Sequence, residues 1–226
     1  MMSRVRERIE NLSPRGEFFL ITSLCFAYFV GTSLVVLLLR LRTFELTSVR
    51  AIRGIATELV ILSIAAWILR VRGKKVSRLS RGFSWRALFG GAALFVGYVL
   101  MYWITSYVVV SVYPPAAHLS PMRMIPRAPV GLLGMLIVVN SVFEEATVSG
   151  YVVTALAEQG PALSITASAL LRFLYHLYQG PIASLSVLPL GLVFAAVYWR
   201  WRNLWPLVVA HTLANILAFT AAAQYR

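Results

Sequence analysis

Two adjacent carboxylates, Glu144 and Glu145, stand inside an apolar stretch, Val130 to Leu156, that is long enough to cross a bilayer. One charged carboxylate at bilayer depth costs roughly 2.5–3.5 kcal/mol to insert. A pair therefore marks a functional site if partners exist at the same depth. The stretches that follow supply them. Arg172 and His176 lie four residues apart in the next apolar run, and His211 and Asn215 lie four apart in the last one. An intramembrane arginine needs an anion, and the deep acids on offer are the glutamate pair and Glu58.

At helical spacing, Asn140, Glu144, Thr147, Tyr151 and Thr154 recur in alternating steps of four and three, which places them on one helix face. Ser141, Glu145 and Ser149 form a second polar row beside it. Ser164 and Ser168 precede Arg172 at the same spacing and read as close helix packing. Counted from the expected cytoplasmic ends, Glu144, His176 and His211 sit roughly 20, 22 and 12 Å deep at 1.5 Å per residue. That is close enough for one shared cavity.

A carboxylate and a histidine can activate water as general base and acid, and His and Asn side chains can donate hydrogen bonds to a developing oxyanion. Together these groups suit amide hydrolysis without a covalent intermediate. Other intramembrane protease chemistries are poorly served. All eight acidic residues are Glu, so there is no aspartyl dyad, and the chain has neither a His-Glu-x-x-His zinc helix nor a nucleophile elbow around a serine.

The elements that must position these groups follow from composition. The chain has 226 residues, 59% of them hydrophobic and 13% charged, against about 25% charged in soluble domains. The net charge of +13 lies mostly between apolar runs, a pattern of membrane topology rather than of nucleic-acid binding. The single cysteine, Cys25, excludes an internal disulfide and a thiolate metal cluster. Seven apolar runs are expected as spans: Phe18–Leu39, Ile55–Val71, Leu88–Val112, Val130–Leu156, Ala162–Tyr178, Ile182–Trp199 and Leu204–Ala222. The first is too long for a signal-peptide core and reads as an uncleaved span. Glu58, near the start of the second run and within reach of Arg50 or Arg53, reads first as an interfacial, snorkelling or paired residue. The proline-rich segment from Tyr113 to Pro126 reads as an irregular loop, with His118 a solvated loop histidine.

The expected fold is thus an all-α polytopic membrane protein, a bundle of about seven transmembrane helices. Residues 1–125 hold three spans and residues 126–226 a four-helix membrane unit. Thirteen Lys and Arg fall on one side and seven on the other, with the linker Arg70–Arg86 the most basic, so the N-terminus is expected in the cytoplasm.

The motif set resembles the CPBP (CAAX protease and bacteriocin-processing) intramembrane proteases, also called the Abi family. The family's Glu-Glu-x-x-x-Arg motif is matched by Glu144-Glu145-Ala-Thr-Val-Ser149, its Phe-x-x-x-His by Arg172-Phe-Leu-Tyr-His176, and its His-x-x-x-Asn by His211-Thr-Leu-Ala-Asn215. The resemblance implies an all-helical bundle and a membrane endopeptidase. Its substrate would be membrane-associated, prenylated or of the secreted-peptide type. It also implies that Glu144 and His176 activate water, that His211 and Asn215 stabilise the oxyanion, and that Glu145 supports the site. Arg172, Asn140 and Tyr151 are expected as supporting residues. No cofactor is favoured; if zinc is bound, Glu144, His176 and His211 are the expected ligands. The expected surroundings are the bilayer of a prokaryotic plasma membrane and a peptide or membrane-protein substrate, with no nucleic acid. Two alternatives remain open: a non-catalytic scaffold or immunity protein of the same family, and a transporter with a Glu/His proton relay.

Two motif positions differ. Ser149 replaces the arginine and Arg172 replaces the phenylalanine. The two changes are expected to be linked, with Arg172 pairing with Glu145 from the neighbouring helix.

Overall fold

The computed structural model describes residues 2–41, 43–76, 82–118 and 123–223. Eight helices and two short strands are found among them. The helices are α1 (Met2–Glu10), α2 (Pro14–Leu38), α3 (Ser48–Val71), α4 (Trp85–Val112), α5 (Val130–Ala155), α6 (Pro161–His176), α7 (Pro181–Trp201) and α8 (Trp205–Ala223). Helices α2, α3 and α4 start at side-chain caps. Ser13, Thr47 and Ser84 accept from the backbone N–H of Gly16, Arg50 and Ala87, which satisfies donors that a helix start leaves unpaired. The starts of α6 and α7 share a different device. Gly160 and Gly180 adopt φ of 95° and 85°, open to glycine without strain, and the following Pro161 and Pro181 begin the next helix.

The all-helical membrane architecture expected from the apolar runs is observed. Five helices (α2, α3, α4, α5 and α7) are long and apolar enough to cross a membrane. Of the seven expected spans, the other two are shorter. Helix α6 has 16 residues, about 24 Å at helical rise, and the apolar part of α8 is Trp205–Ala221. The second run starts earlier than expected, at Ser48 rather than Ile55. The cap at Thr47 extends the helix through Arg50 and Arg53, which sequence alone reads as a linker. The segment expected to be irregular contains a 3-10 turn, Pro114–His118, and strand β2, Arg123–Pro126. This strand pairs in parallel with β1, Thr43–Leu46, with Leu46 opposite Pro126. Arg78 and Arg81 of the basic linker, Arg42, Arg226 and the side chain of His118 lie outside the described residues.

Helix α5 is the centre of the packing. On one side Phe143, Val148, Tyr151 and Val152 join a core with Ile21, Cys25 and Phe26 of α2 and Ile61, Ala65 and Ile68 of α3. On the other, Val153 packs with Leu190, Phe194 and Tyr198 of α7 and Leu207 and Ala210 of α8. Within α5, the segment Glu145–Val152 is π-helical. Its i→i+5 bonding gives a wider turn than the α-helix. Ser168 of α6 donates to the Val148 carbonyl at 3.0 Å, so that serine is a backbone partner of the widened turn as well as a packing residue.

Candidate active site

Glu145, on the first turn of the widened segment, is completely buried. Its Oε1 receives Arg172 Nη1 at 2.9 Å and His211 Nδ1 at 2.8 Å. Its Oε2 receives Arg172 Nη2 at 2.9 Å and Ser149 Oγ at 2.6 Å. Three of these contacts are hydrogen bonds and the Arg172 Nη1 contact is an ion pair, so both carboxylate oxygens are engaged. Arg172, only 2% exposed, reaches Glu145 from α6. It also donates to Ser149 Oγ at 3.2 Å and lies 5.6 Å from the Phe194 ring of α7. The guanidinium thus occupies the space that the short side chain at position 149 leaves beside Glu145. The pairing expected between the two helices is present.

Glu144 is placed differently. Tyr175 donates to its Oε2 at 2.6 Å, while Arg172 Nη1 and His211 Nε2 stand 3.6 and 3.9 Å from the same oxygen. Tyr175 is its hydrogen-bond partner among the described residues, and acceptor positions stay open. Glu144 also lines a small cavity with Asn140, Tyr175 and the rings of Phe26, Phe29 and Phe143. At about 20 Å³ the cavity has room for one water molecule.

The two histidines have assigned tautomers because their Nδ1 atoms face acceptors. His176 Nδ1 lies 2.9 Å from the Arg172 carbonyl, and a carbonyl only accepts, so Nδ1 carries the proton. The same reasoning applies to His211 Nδ1 against the Glu145 carboxylate. In the neutral ring each Nε2 is then the free basic nitrogen. His176 also stacks on Tyr178, with ring centroids 6.3 Å apart.

Asn140 and Asn215 join the site by way of a residue that sequence reading placed elsewhere. Asn140 Nδ2 donates to Glu58 Oε1 at 2.8 Å, and Asn215 Nδ2 donates to Asn140 Oδ1 at 3.3 Å. Glu58 is 4% exposed and is not the interfacial partner of Arg50 or Arg53. Arg50 instead donates to the Glu45 carbonyl and lies over the Phe44 ring. The correction follows from the earlier helix start, which carries Glu58 ten residues, about 15 Å, into α3.

Tyr151 is the expected supporting residue that leaves the Glu144 face. Its hydroxyl lies 3.4 Å from Glu17 Oε1, in a separate cluster where Glu17 also receives Arg72 Nε at 3.0 Å and Lys74 Nζ at 2.6 Å. The cause is the widened turn between them: seven residues no longer complete two turns, so Glu144 and Tyr151 do not share a face. Thr154 departs with it and contacts Tyr198 and Arg202. Tyr175 carries no role in the sequence reading, although its position, three residues after Arg172 on one helix, is a usable signal.

Among the described residues no three His, Cys, Asp or Glu side chains converge as metal ligands would. The Arg172 guanidinium, 3.6 Å from Glu144, holds the cationic position that a dication would have to contest.

Compared with known proteins, residues 126–217 match the family described as Type II CAAX prenyl endopeptidase Rce1-like. The matched stretch runs from the last residue of β2 into α8 and contains Glu144, Glu145, Arg172, His176, His211 and Asn215. No curated protein and no solved structure matches the chain.

Proposed function

We propose, for a chain whose residues 126–217 belong to the type II CAAX prenyl endopeptidase Rce1-like family, the activity of an intramembrane endopeptidase that hydrolyses a peptide bond with water activated by Glu144 and His176. The observation that carries this reading is the contrast between the two glutamates. Glu145 has both oxygens engaged, by three hydrogen bonds and an ion pair, whereas Glu144 takes one hydrogen bond and keeps positions open toward a cavity of one water's size. A general base needs an open lone pair within reach of the proton that it takes.

In this mechanism Glu144 takes a proton from the water as it attacks the scissile carbonyl, and Tyr175 holds the carboxylate in place. The proton that Glu144 takes is the one delivered to the leaving amine, and His176, whose free Nε2 can accept it and release it again, assists that transfer. Asn215 donates to the oxyanion, joined by His211 only once its Nε2 carries a proton, and Glu145 with Arg172 sets the tilt of the His211 ring. No step passes through a metal. The substrate is a membrane-associated peptide or protein tail, with prenylated CAAX-type tails the first class to try. Residues 126–226 form the catalytic unit, with the first three spans around it, in a prokaryotic plasma membrane with the N-terminus in the cytoplasm. Ser149 does not argue for a non-catalytic scaffold in this reading, because Arg172 supplies the cation that the motif arginine would have brought.

The test compares wild-type and Glu144→Ala cells, matched for expression, by proteomics of membrane peptides. Peptides that accumulate uncleaved in the variant, and that the purified wild-type protein cleaves in liposomes, support the proposal. Identical peptide profiles, with no cleavage of a farnesylated CAAX peptide in liposomes, would overturn it.

A further inference from the structure

Glu58 belongs to neither the matched family segment nor the motif set, yet it is a buried carboxylate in contact with the site. Its Oε1 is used by Asn140, while its Oε2 has no hydrogen-bond partner among the described residues. A glutamine would make the same bond to Asn140 at a smaller desolvation cost. What distinguishes the carboxyl group from a glutamine is the absence of an NH2 end: the oxygen that faces Asn140, Oε1, accepts and has no amide hydrogen to give in its place.

That property matters because the next two groups are amides, each with a donor end and an acceptor end. Facing a carboxylate, Asn140 must present Nδ2, so its Oδ1 turns to Asn215. Facing Oδ1, Asn215 must in turn present Nδ2. One Nδ2 hydrogen of Asn215 is used in this bond and the second remains to be donated.

We propose that Glu58 is a positioning residue that sets the polarity of this carboxylate–amide–amide relay and so holds the Asn215 NH2 group as a hydrogen-bond donor in the site. The inference rests on the hydrolase reading for the use made of that donor, but the relay itself does not. Glu58 touches no reacting atom; it acts through Asn140. With a donor at position 58 the whole relay can reverse, leaving Asn215 to offer Oδ1 where an oxyanion needs a hydrogen.

The chain has four asparagines, Asn11, Asn140, Asn203 and Asn215, so Asn-selective 15N labelling of the full-length protein in micelles gives four side-chain NH2 signals. Glu58→Gln, close in shape to the original, is expected to shift or split the signals of both Asn140 and Asn215 while those of Asn11 and Asn203 stay in place. An Asn215 signal unmoved by Glu58→Gln overturns the relay. The second arm measures cleavage of a farnesylated CAAX peptide in proteoliposomes. Glu58→Leu is expected to lower kcat about tenfold with KM unchanged, and to add nothing in an Asn215→Ala background. Additive losses in that cycle overturn the positioning role. If the wild-type protein does not cleave the peptide, the hydrolase reading is in question, and the NMR arm still decides the relay by itself.

Discussion

The Arg172 guanidinium forks onto the Glu145 carboxylate, Nη1 to Oε1 and Nη2 to Oε2, each at 2.9 Å. Such a two-nitrogen contact, one hydrogen bond and one ion pair, suits arginine's planar fork and not lysine. It joins α6 to the widened turn of α5 where both are buried, and it orients the oxygen that holds His211.

This pairing predicts a reciprocal swap. Arg172→Phe alone strands a buried carboxylate and should destabilise the protein by about 3–5 kcal/mol. Ser149→Arg alone should crowd two guanidinium groups on one carboxylate. The double variant Ser149→Arg/Arg172→Phe should recover most of the lost stability, because Ser149 Oγ already lies 2.6 Å from Glu145 Oε2. Thermal unfolding of the four proteins in one detergent checks it; a double variant no better than Arg172→Phe would show that the two positions are not linked.

Tyr175→Phe removes a single hydroxyl, the one 2.6 Å from Glu144. A hydrogen bond to a charged group is worth about 1.5–3 kcal/mol. If that bond holds the base in its reactive position, kcat should fall by about 10- to 100-fold with a small change in KM. Steady-state kinetics on the farnesylated peptide would show it, and an unchanged kcat would remove Tyr175 from the mechanism.

The Glu17 cluster should behave as a fastening and not as part of the chemistry. Glu17→Ala removes the acceptor of Arg72, Lys74 and Tyr151 at once. The expected cost is on the order of 2 kcal/mol, seen as a lower Tm with kcat on the peptide preserved. Lost activity at temperatures where the variant is still folded would contradict that division.

Close packing of α4 on α8 makes a further prediction from two neighbouring glycines. A Cβ on Gly91 would stand 2.5 Å from Val209 Cβ and 2.8 Å from the Pro206 carbonyl, whereas one on Gly90 would stand 3.8 Å from Pro206 Cβ. Overpacking of this kind costs about 1–3 kcal/mol. Gly91→Ala should therefore lower Tm, and Gly90→Ala should leave it unchanged or raise it slightly. Equal effects from the two would contradict the packing described for α4.

The spans and the contents of the site could be read from sequence for different reasons. Long apolar runs define helices by composition, so α2, α4, α5 and α7 fall close to their expected bounds. The Arg172–Glu145 pair was legible because an intramembrane charge must find its opposite. Tyr151 was misplaced because periodicity assumes 3.6 residues per turn, and nothing in Glu145–Val152 announces a wider one. Glu58 was misjudged because Arg50 and Arg53 resemble a linker, while the cap that makes them helical is the single residue Thr47. Strands β1 and β2 are four residues each and 80 apart in the chain, a pairing that local pattern does not carry.

That small parallel sheet has a mechanical consequence. Leu46 lies opposite Pro126, so α3 and α5 set out from a common baseline. Glu58 stands ten residues beyond Ser48 and Asn140 ten beyond Val130. Equal counts at equal rise bring the two side chains to the same height, about 15 Å along each helix. The ribbon works as a vernier: one residue inserted after Thr47 would carry Glu58 about 1.5 Å along the axis and about 100° around it, out of step with its asparagine.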